Sequence, residues 1–448
     1  MNTSGKEASA QEATFLATST TRRRRARIGI ALAVLLLLAL LVPAGVILQQ
    51  QFASLSVTTL QDDIPGSLRQ TTANARANST ILIDPGLKGF LFLKRPLLMN
   101  KNLTIQGANA NQVTIRGTRD GLGLIQIQSH TVVTFSRVTF SDPTPQTGSI
   151  LVNQGTLTLD QCVVTGNTQK PGTDTFAKQP IALGAWGAIF NTGILTLQSS
   201  LVTRNSAAGG NASGGGISSS QGTIVIKNSQ INDNTAISSD QGAFGGGIST
   251  NQDQVKIINS TIKGNQVSGG STVNSGGGID SQQSIIVIEN STVSGNTVDA
   301  GKSARGGFGG GIAVNGGNVT ITGSHLSNNT VRGSLVSGGA LYSQNLNSPN
   351  GGAVIVGNVT ITASVVSNNT VTGTGGALGG GLAAGSGSLT LTTTTITHNA
   401  LTSLQRLAKG GGIFSGATLT INESTIADNH ATAPAVQYGA IGGGIDTQ

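Results

Sequence analysis

"INSTIKGNQVSGGSTVNSGGGID" occupies residues 258–280, and its parts recur down the chain. A short apolar phrase closes on an asparagine, a stretch of changing length follows, and three glycines with an aliphatic residue open the next round. With the asparagine as origin, Asn167, Asn205, Asn234, Asn265, Asn296, Asn329, Asn369, Asn399 and Asn429 fall into one alignment. An aliphatic residue stands three positions before each (Val202, Ile231, Ile262), another eight before (Leu197, Ile226, Ile257) and a third ten before (Leu195, Ile224, Val255). The last two alternate in, out, in, which is the period of a strand.

Length varies mostly between the asparagine and the next glycine cluster, with one further insertion between Leu341 and Val359. Fixed phrases joined by variable loops, at a period of about 30 residues, mark a solenoid. The expected fold is all-β: a right-handed parallel β-helix of roughly ten to twelve coils. Each coil is expected to hold three short strands, opened by the GGGI, LTI and STI phrases. Each strand pairs in parallel with its copy ~4.8 Å along the axis, and the inward aliphatics form columns.

The nine asparagines read as a structural ladder. At a tight turn asparagine can adopt positive φ and pass side-chain amide hydrogen bonds to the neighbouring coils, satisfying backbone that no strand pairs. Cys162 stands five residues before its asparagine, where other coils carry Ser200, Ser229 and Ser260, so it reads as a small residue in a stack. As the lone cysteine it excludes an intrachain disulfide. The glycine clusters, such as 245–247 and 276–278, lack a following GK[ST] and read as tight bends, not phosphate loops.

Composition agrees with a regular core. Glycine supplies 65 of 448 residues and charged residues only 10%, yet the 37% apolar content recurs in register, unlike a disordered tract. The net charge of +8 does not indicate a nucleic-acid partner, because six of the 26 basic residues precede residue 50 and the rest are scattered. Five of those six, Arg22 to Arg25 and Arg27, flank residues 28–48, which carry no charge. At ~1.5 Å per residue this run is long enough to cross a membrane core of ~30 Å.

The arginines place the amino side in the cytoplasm and the remainder outside the cell. The expected organisation is a disordered basic cytoplasmic tail (1–27), a transmembrane signal anchor (28–48), a linker (49–61) and the β-helix (62–448). Secretion after signal cleavage is the alternative, although no small-x-small cleavage site follows Pro43. A short helix from about Gly66 to Arg76 is expected to cap the amino-terminal end of the solenoid. The carboxyl end, "GGGIDTQ", stops as another coil begins and reads as uncapped or truncated.

The segment "PGSLRQ" (65–70), the GGGI copies and the STIxxN phrases resemble bacterial surface proteins with right-handed parallel β-helix repeats. They are similar also to the passenger repeats of polymorphic outer membrane proteins, which pair a GGAI-like with an FxxN-like motif. The matches here are Gly187-Ala188-Ile189 and Gly338-Gly339-Ala340-Leu341 with the nine asparagines. The resemblance spans residues 62–448 and implies a pectate-lyase-like fold. It leaves activity open, because that fold carries pectin-degrading enzymes, adhesins and phage tailspikes alike.

Polysaccharide lyases and hydrolases need carboxylates gathered from neighbouring coils. Asp280 and Asp446 share a phase but stand several coils apart, as do Asp233 and Asp428; Asp62 and Asp63 sit at the cap. His398 and His430 flank ladder asparagines in adjacent coils and read as exposed turn residues. Aromatic residues are few: Trp186, Tyr342, Tyr438 and scattered phenylalanines. The outward threonines such as Thr196 and Thr320 are interrupted by Val225, Lys256 and Val287, so β-propensity accounts for them.

No catalytic, cofactor-binding or metal-binding residue is therefore assigned. The expected function is a membrane-anchored, extracellular structural or adhesive protein, contacting a cell-surface or polysaccharide ligand through its variable loops and the membrane through residues 28–48. The alternative is a polysaccharide lyase or hydrolase with a site built from the loops around 168–188 and 342–358.

Overall fold

Three-residue strands in which only the middle side chain is buried set the pattern. In Gln230–Asn232 that residue is Ile231, in Thr261–Lys263 it is Ile262, and in Thr292–Ser294 it is Val293. The three pair in parallel in one column, each fully buried. A buried aliphatic side chain contributes about 1.5–3 kcal/mol, so the column stabilises each coil through its two neighbours. In this computed structural model, which describes residues 55–117, 123–170, 184–301, 306–345, 357–434 and 439–448, the sheet containing these strands has 12 members, one per coil.

Every described strand pairing named here is parallel, and the fold is all-β with one helix, consistent with a right-handed β-helix. The assignment of strands to sheets differs from the sequence expectation. The GGGI and LTI strands, such as Ile248–Asn251 and Gln254–Ile258, belong to one 23-stranded sheet. The stretch after the asparagine, expected to be loop, builds a third sheet of 17 strands, including Thr235–Ser238 and Ala243–Phe244. These strands bury Ala207, Ala236, Val267, Val298 and Val331 in a small core of their own. Alanine and valine gave little apolar signal, and the insertions between the two halves hid the register. In a stack, pairing to the neighbouring coil makes such segments strands, because strand preference is mostly a matter of context.

The ladder asparagines are buried and bonded in series. Asn265 Nδ2 donates to Asn296 Oδ1 (3.0 Å) and to the Ile231 carbonyl (2.8 Å), while Oδ1 accepts from Asn234 Nδ2 (3.0 Å). The series runs from Asn167 to Asn429. Positive φ belongs not to these asparagines but to the residue before each: Asp233 (55°), Gly264 (66°), Asn328 (57°) and His398 (55°). Glycine, asparagine and aspartate tolerate that left-handed region best, which explains the recurring GN, DN and NN dipeptides. Cys162 stands in the serine column, its backbone N–H bonded to Ser200 Oγ (2.9 Å), and burial pushes its thiol up to about 12.

Helix Leu68–Asn74 starts slightly later than expected, where the Ser67 side chain accepts a hydrogen bond from the Gln70 N–H (3.2 Å). Leu68 is fully buried beneath it. Burial alone would raise the Asp62 carboxyl, but hydrogen bonds from Arg69 and the Lys94 N–H hold it below the usual range. The first described strand, Leu55–Val57, falls inside the stretch read as linker and pairs with Ile81–Ile83. The run 28–48, expected to span a membrane, lies outside the described residues. Among the described residues no helix is long and apolar enough to do so.

Candidate functional site

The residue immediately before each glycine bend points outward from the third sheet. In successive coils that position holds Trp186, Ser213, Phe244, Ser275, Phe308 and Ser337, each paired in register with the next. A ring thus recurs at every second coil, separated by serine. Beyond the bend, the second residue of the GGGI strand forms a facing column: Phe190, Ser218, Ser249, Asp280, Ala313 and Tyr342. Between its two aromatic ends this column is a floor of small side chains.

Contacts across the bend bring the columns together. Trp186 stacks on Phe190 with ring centroids 4.5 Å apart and planes 14° from parallel. Phe308 stacks on Tyr342 at 4.6 Å and 28°. Two of the rings lie along their own strand because a glycine stands two residues earlier. A Cβ on Gly242 would come within 2.6 Å of Phe244 Cζ, and one on Gly306 within 2.4 Å of Phe308 Cζ. Both rings remain partly exposed, as do Trp186, Phe190 and Tyr342.

Two clefts follow this corner. One of about 280 Å³ lies between Trp186, Phe190 and Phe244 and is otherwise lined by serine, threonine, asparagine and glutamine. The other, about 430 Å³, is mainly apolar and bounded by Phe308, Tyr342, Leu378 and Phe414, with Arg406 at its edge. Large half-exposed rings beside a few polar groups are what small-molecule and sugar sites offer.

Asp280 is the carboxyl of this floor, in the coil between Phe244 and Phe308. It is fully buried, and burial, opposed only by its hydrogen bond with Ser275 Oγ, pushes its pKa up to about 7. Its second oxygen, Oδ2, has no partner among the described residues. Buried carboxyls held near neutrality are a recurrent source of protons in catalysis. Asp446, which shares its column, stands five coils away next to Lys409 (3.9 Å).

The other titratable residues singled out in the sequence stay apart. Asp233 and Asp428 occupy the left-handed turn position in different coils. His398 Nε2 lies 3.9 Å from Asp428, and its Nδ1 meets Thr397 Oγ1, whereas His430 begins the next strand and pairs with Ala400. Asp62 and Asp63 bind Arg69 and Arg95 at the cap. Among the described residues no group of three potential ligands could hold a metal. The loops 168–188 and 342–358, proposed as an alternative site, lie in large part outside the described residues.

The aromatic corner went unread because the rings were counted rather than phased. Phe244 and Phe308 directly precede GGG, Trp186 precedes GAI, and Tyr342 and Phe414 directly follow the aliphatic residue of the cluster.

No known protein family matches the chain, and no curated protein matches it. Two solved structures are similar in fold. One is the catalytic unit of a thermostable GH87 α-1,3-glucanase from Streptomyces thermodiastaticus strain HF3-3, 13% identical, covering 84% of this chain and 69% of its own, with a TM-score of 0.39. The other is a mannuronic-acid-specific polysaccharide family 6 lyase from human gut microbiota, 13% identical, covering 79% of this chain and 80% of its own, with a TM-score of 0.35. The resemblance to surface-protein repeats thus extends only to the parallel β-helix. Both similar structures are, by name, polysaccharide-degrading enzymes, and neither is an adhesive scaffold of the kind expected from the sequence.

Proposed function

We propose that the protein is a polysaccharide-active enzyme, a lyase or a hydrolase, which holds its glycan along the aromatic corner. The observation that carries this reading is the arrangement of Trp186, Phe244 and Phe308 on one wall, with a floor of small residues and one buried carboxyl among them. In either reaction the departing glycosidic oxygen takes up a proton as its bond to carbon breaks. Asp280, buried beneath this corner and lining neither cleft, is the carboxyl there whose pKa is raised to about 7. Its carboxyl is covered in the free protein, so it meets a sugar only after the covering side chains turn aside. A site outside the cell, as residues 28–48 suggest, suits a polymeric substrate that cannot enter.

The β-helix, residues 55–448, forms a compact unit and can be assayed against acidic and neutral polysaccharides for new reducing ends and for unsaturated ends. Turnover is expected, reduced about 10²–10⁴-fold in Asp280→Asn as for loss of a general acid. Turnover that survives both Asp280→Asn and Phe308→Ala would place the reaction elsewhere. Absence of turnover on every polysaccharide would overturn the enzyme reading.

A further inference from the structure

The alternation on the corner wall carries information about the ligand. Trp186, Phe244 and Phe308 are separated by Ser213 and Ser275, so the rings stand two coils apart, ~9.6 Å at ~4.8 Å per coil. A 1,4-linked glycan with both bonds equatorial is a flat ribbon. Each of its sugars advances the chain by a length comparable to one coil spacing and is turned over relative to the last, so the same face recurs every second sugar. We propose that the groove takes a neutral ribbon glycan of this kind, laid parallel to the solenoid axis with alternate sugars on the platforms at Trp186, Phe244 and Phe308. This rests on the reading of the corner as a polysaccharide site.

Three further features agree. The ring of Phe244 lies along its strand over Gly242, and that of Phe308 over Gly306, and both rings are partly exposed. The serines between platforms are small enough to leave room for the intervening sugars, and Ser213, which is partly exposed, offers a hydroxyl that both donates and accepts. Among the described residues the cleft between Trp186 and Phe244 contains no charged side chain; Asn211, Asn251 and Gln282 supply amides suited to uncharged hydroxyls. A coiled α-linked glycan does not bring equivalent faces to a straight row of platforms, and among the described residues a polyuronate would find no cation in this cleft.

The test uses cello- and manno-oligosaccharides of increasing length, with malto-oligosaccharides of the same lengths as controls, titrated onto residues 55–448 by calorimetry. Affinity is expected to rise in steps at every second sugar and to be at least about ten-fold weaker for the malto series, as for loss of one or two ring stackings. The paired substitution Ser213→Phe with Phe244→Ser keeps the number of rings and breaks their two-coil spacing, and should cost about ten-fold with an unchanged melting temperature. Should that pair fail to fold, Phe244→Leu, which keeps an apolar side chain and removes the ring, is expected to show the same loss. Binding or turnover of some other polysaccharide, without the two-sugar step, would overturn the ribbon inference and leave the polysaccharide site standing. No binding to any glycan would overturn both.

Discussion

Asn265 shows how one residue type stabilises coil after coil. Its amide donates to Asn296 and Ile231, and its oxygen accepts from both the backbone N–H and the side chain of Asn234 (3.0 Å each). Asn265→Ala removes those bonds and leaves buried donors of Asn234 unpaired, a loss of about 1–3 kcal/mol. Urea unfolding should show that loss as a lower midpoint at unchanged slope. Asp280 provides a pH signal at the same scale. Its pKa rises from 3.8 to about 7 on folding, so the native state binds the proton more tightly than the unfolded chain. The stability due to its protonated form is fully present below pH 3.8 and is lost as pH rises through about 7. Unfolding midpoints measured across that window should fall more steeply with pH for the natural protein than for Asp280→Asn; identical slopes would mean that the carboxyl is not held protonated.

At the scale of the element, the glycine bends constrain both the stack and the site. The third glycine of the interior clusters packs on a ladder asparagine: a Cβ on Gly278 would lie 2.7 Å from the Gly311 carbonyl oxygen and 3.1 Å from the Asn296 amide. Gly278→Ala should therefore cost about 1–3 kcal/mol through overpacking, a cost that thermal melts would reveal. Gly306→Ala acts differently, since its Cβ meets the end of the Phe308 ring, a side chain able to swing away, while the nearest backbone atom, the Leu335 carbonyl oxygen, is 3.4 Å off. That variant is expected to melt near the natural temperature while losing glycan affinity. Such elements differ in how legible they were. Ile231, Ile262 and their asparagines keep a fixed spacing, so columns could be read without any structure. Ala236 and Ala243 sit on either side of a variable insertion and carry too little apolar surface to mark a strand, so the third sheet was missed. The candidate site depends on that sheet, because Phe244 and Phe308 are its last residues before the bend. Asp280 was noted in sequence, but its burial comes from neighbours that no spacing reveals.

Across the whole molecule, each coil is stabilised chiefly by the coils on either side, so stability should depend on position along the axis. In the interior strand Ile312–Thr322, Ile321 is fully buried, whereas Leu419 and Ile421 of Thr418–Asn422 are only partly so, and Ile441 and Ile445 beyond them are 45% and 37% exposed. The opposite end is covered by helix Leu68–Asn74, with Leu68 fully buried. Amide hydrogen exchange reads this difference directly, because local opening requires only the contacts of the coil that opens. Protection is expected to be greatest in strands such as Gln254–Ile258 and Thr292–Ser294 and to fall through Thr418–Asn422 to Ile445–Thr447. The platforms Trp186 to Phe308 lie within the well-protected part, which would hold their two-coil spacing fixed while a glycan binds. Uniform protection along the chain would mean that the solenoid opens as a single unit, and would remove the reason for placing a rigid site away from its less buried end.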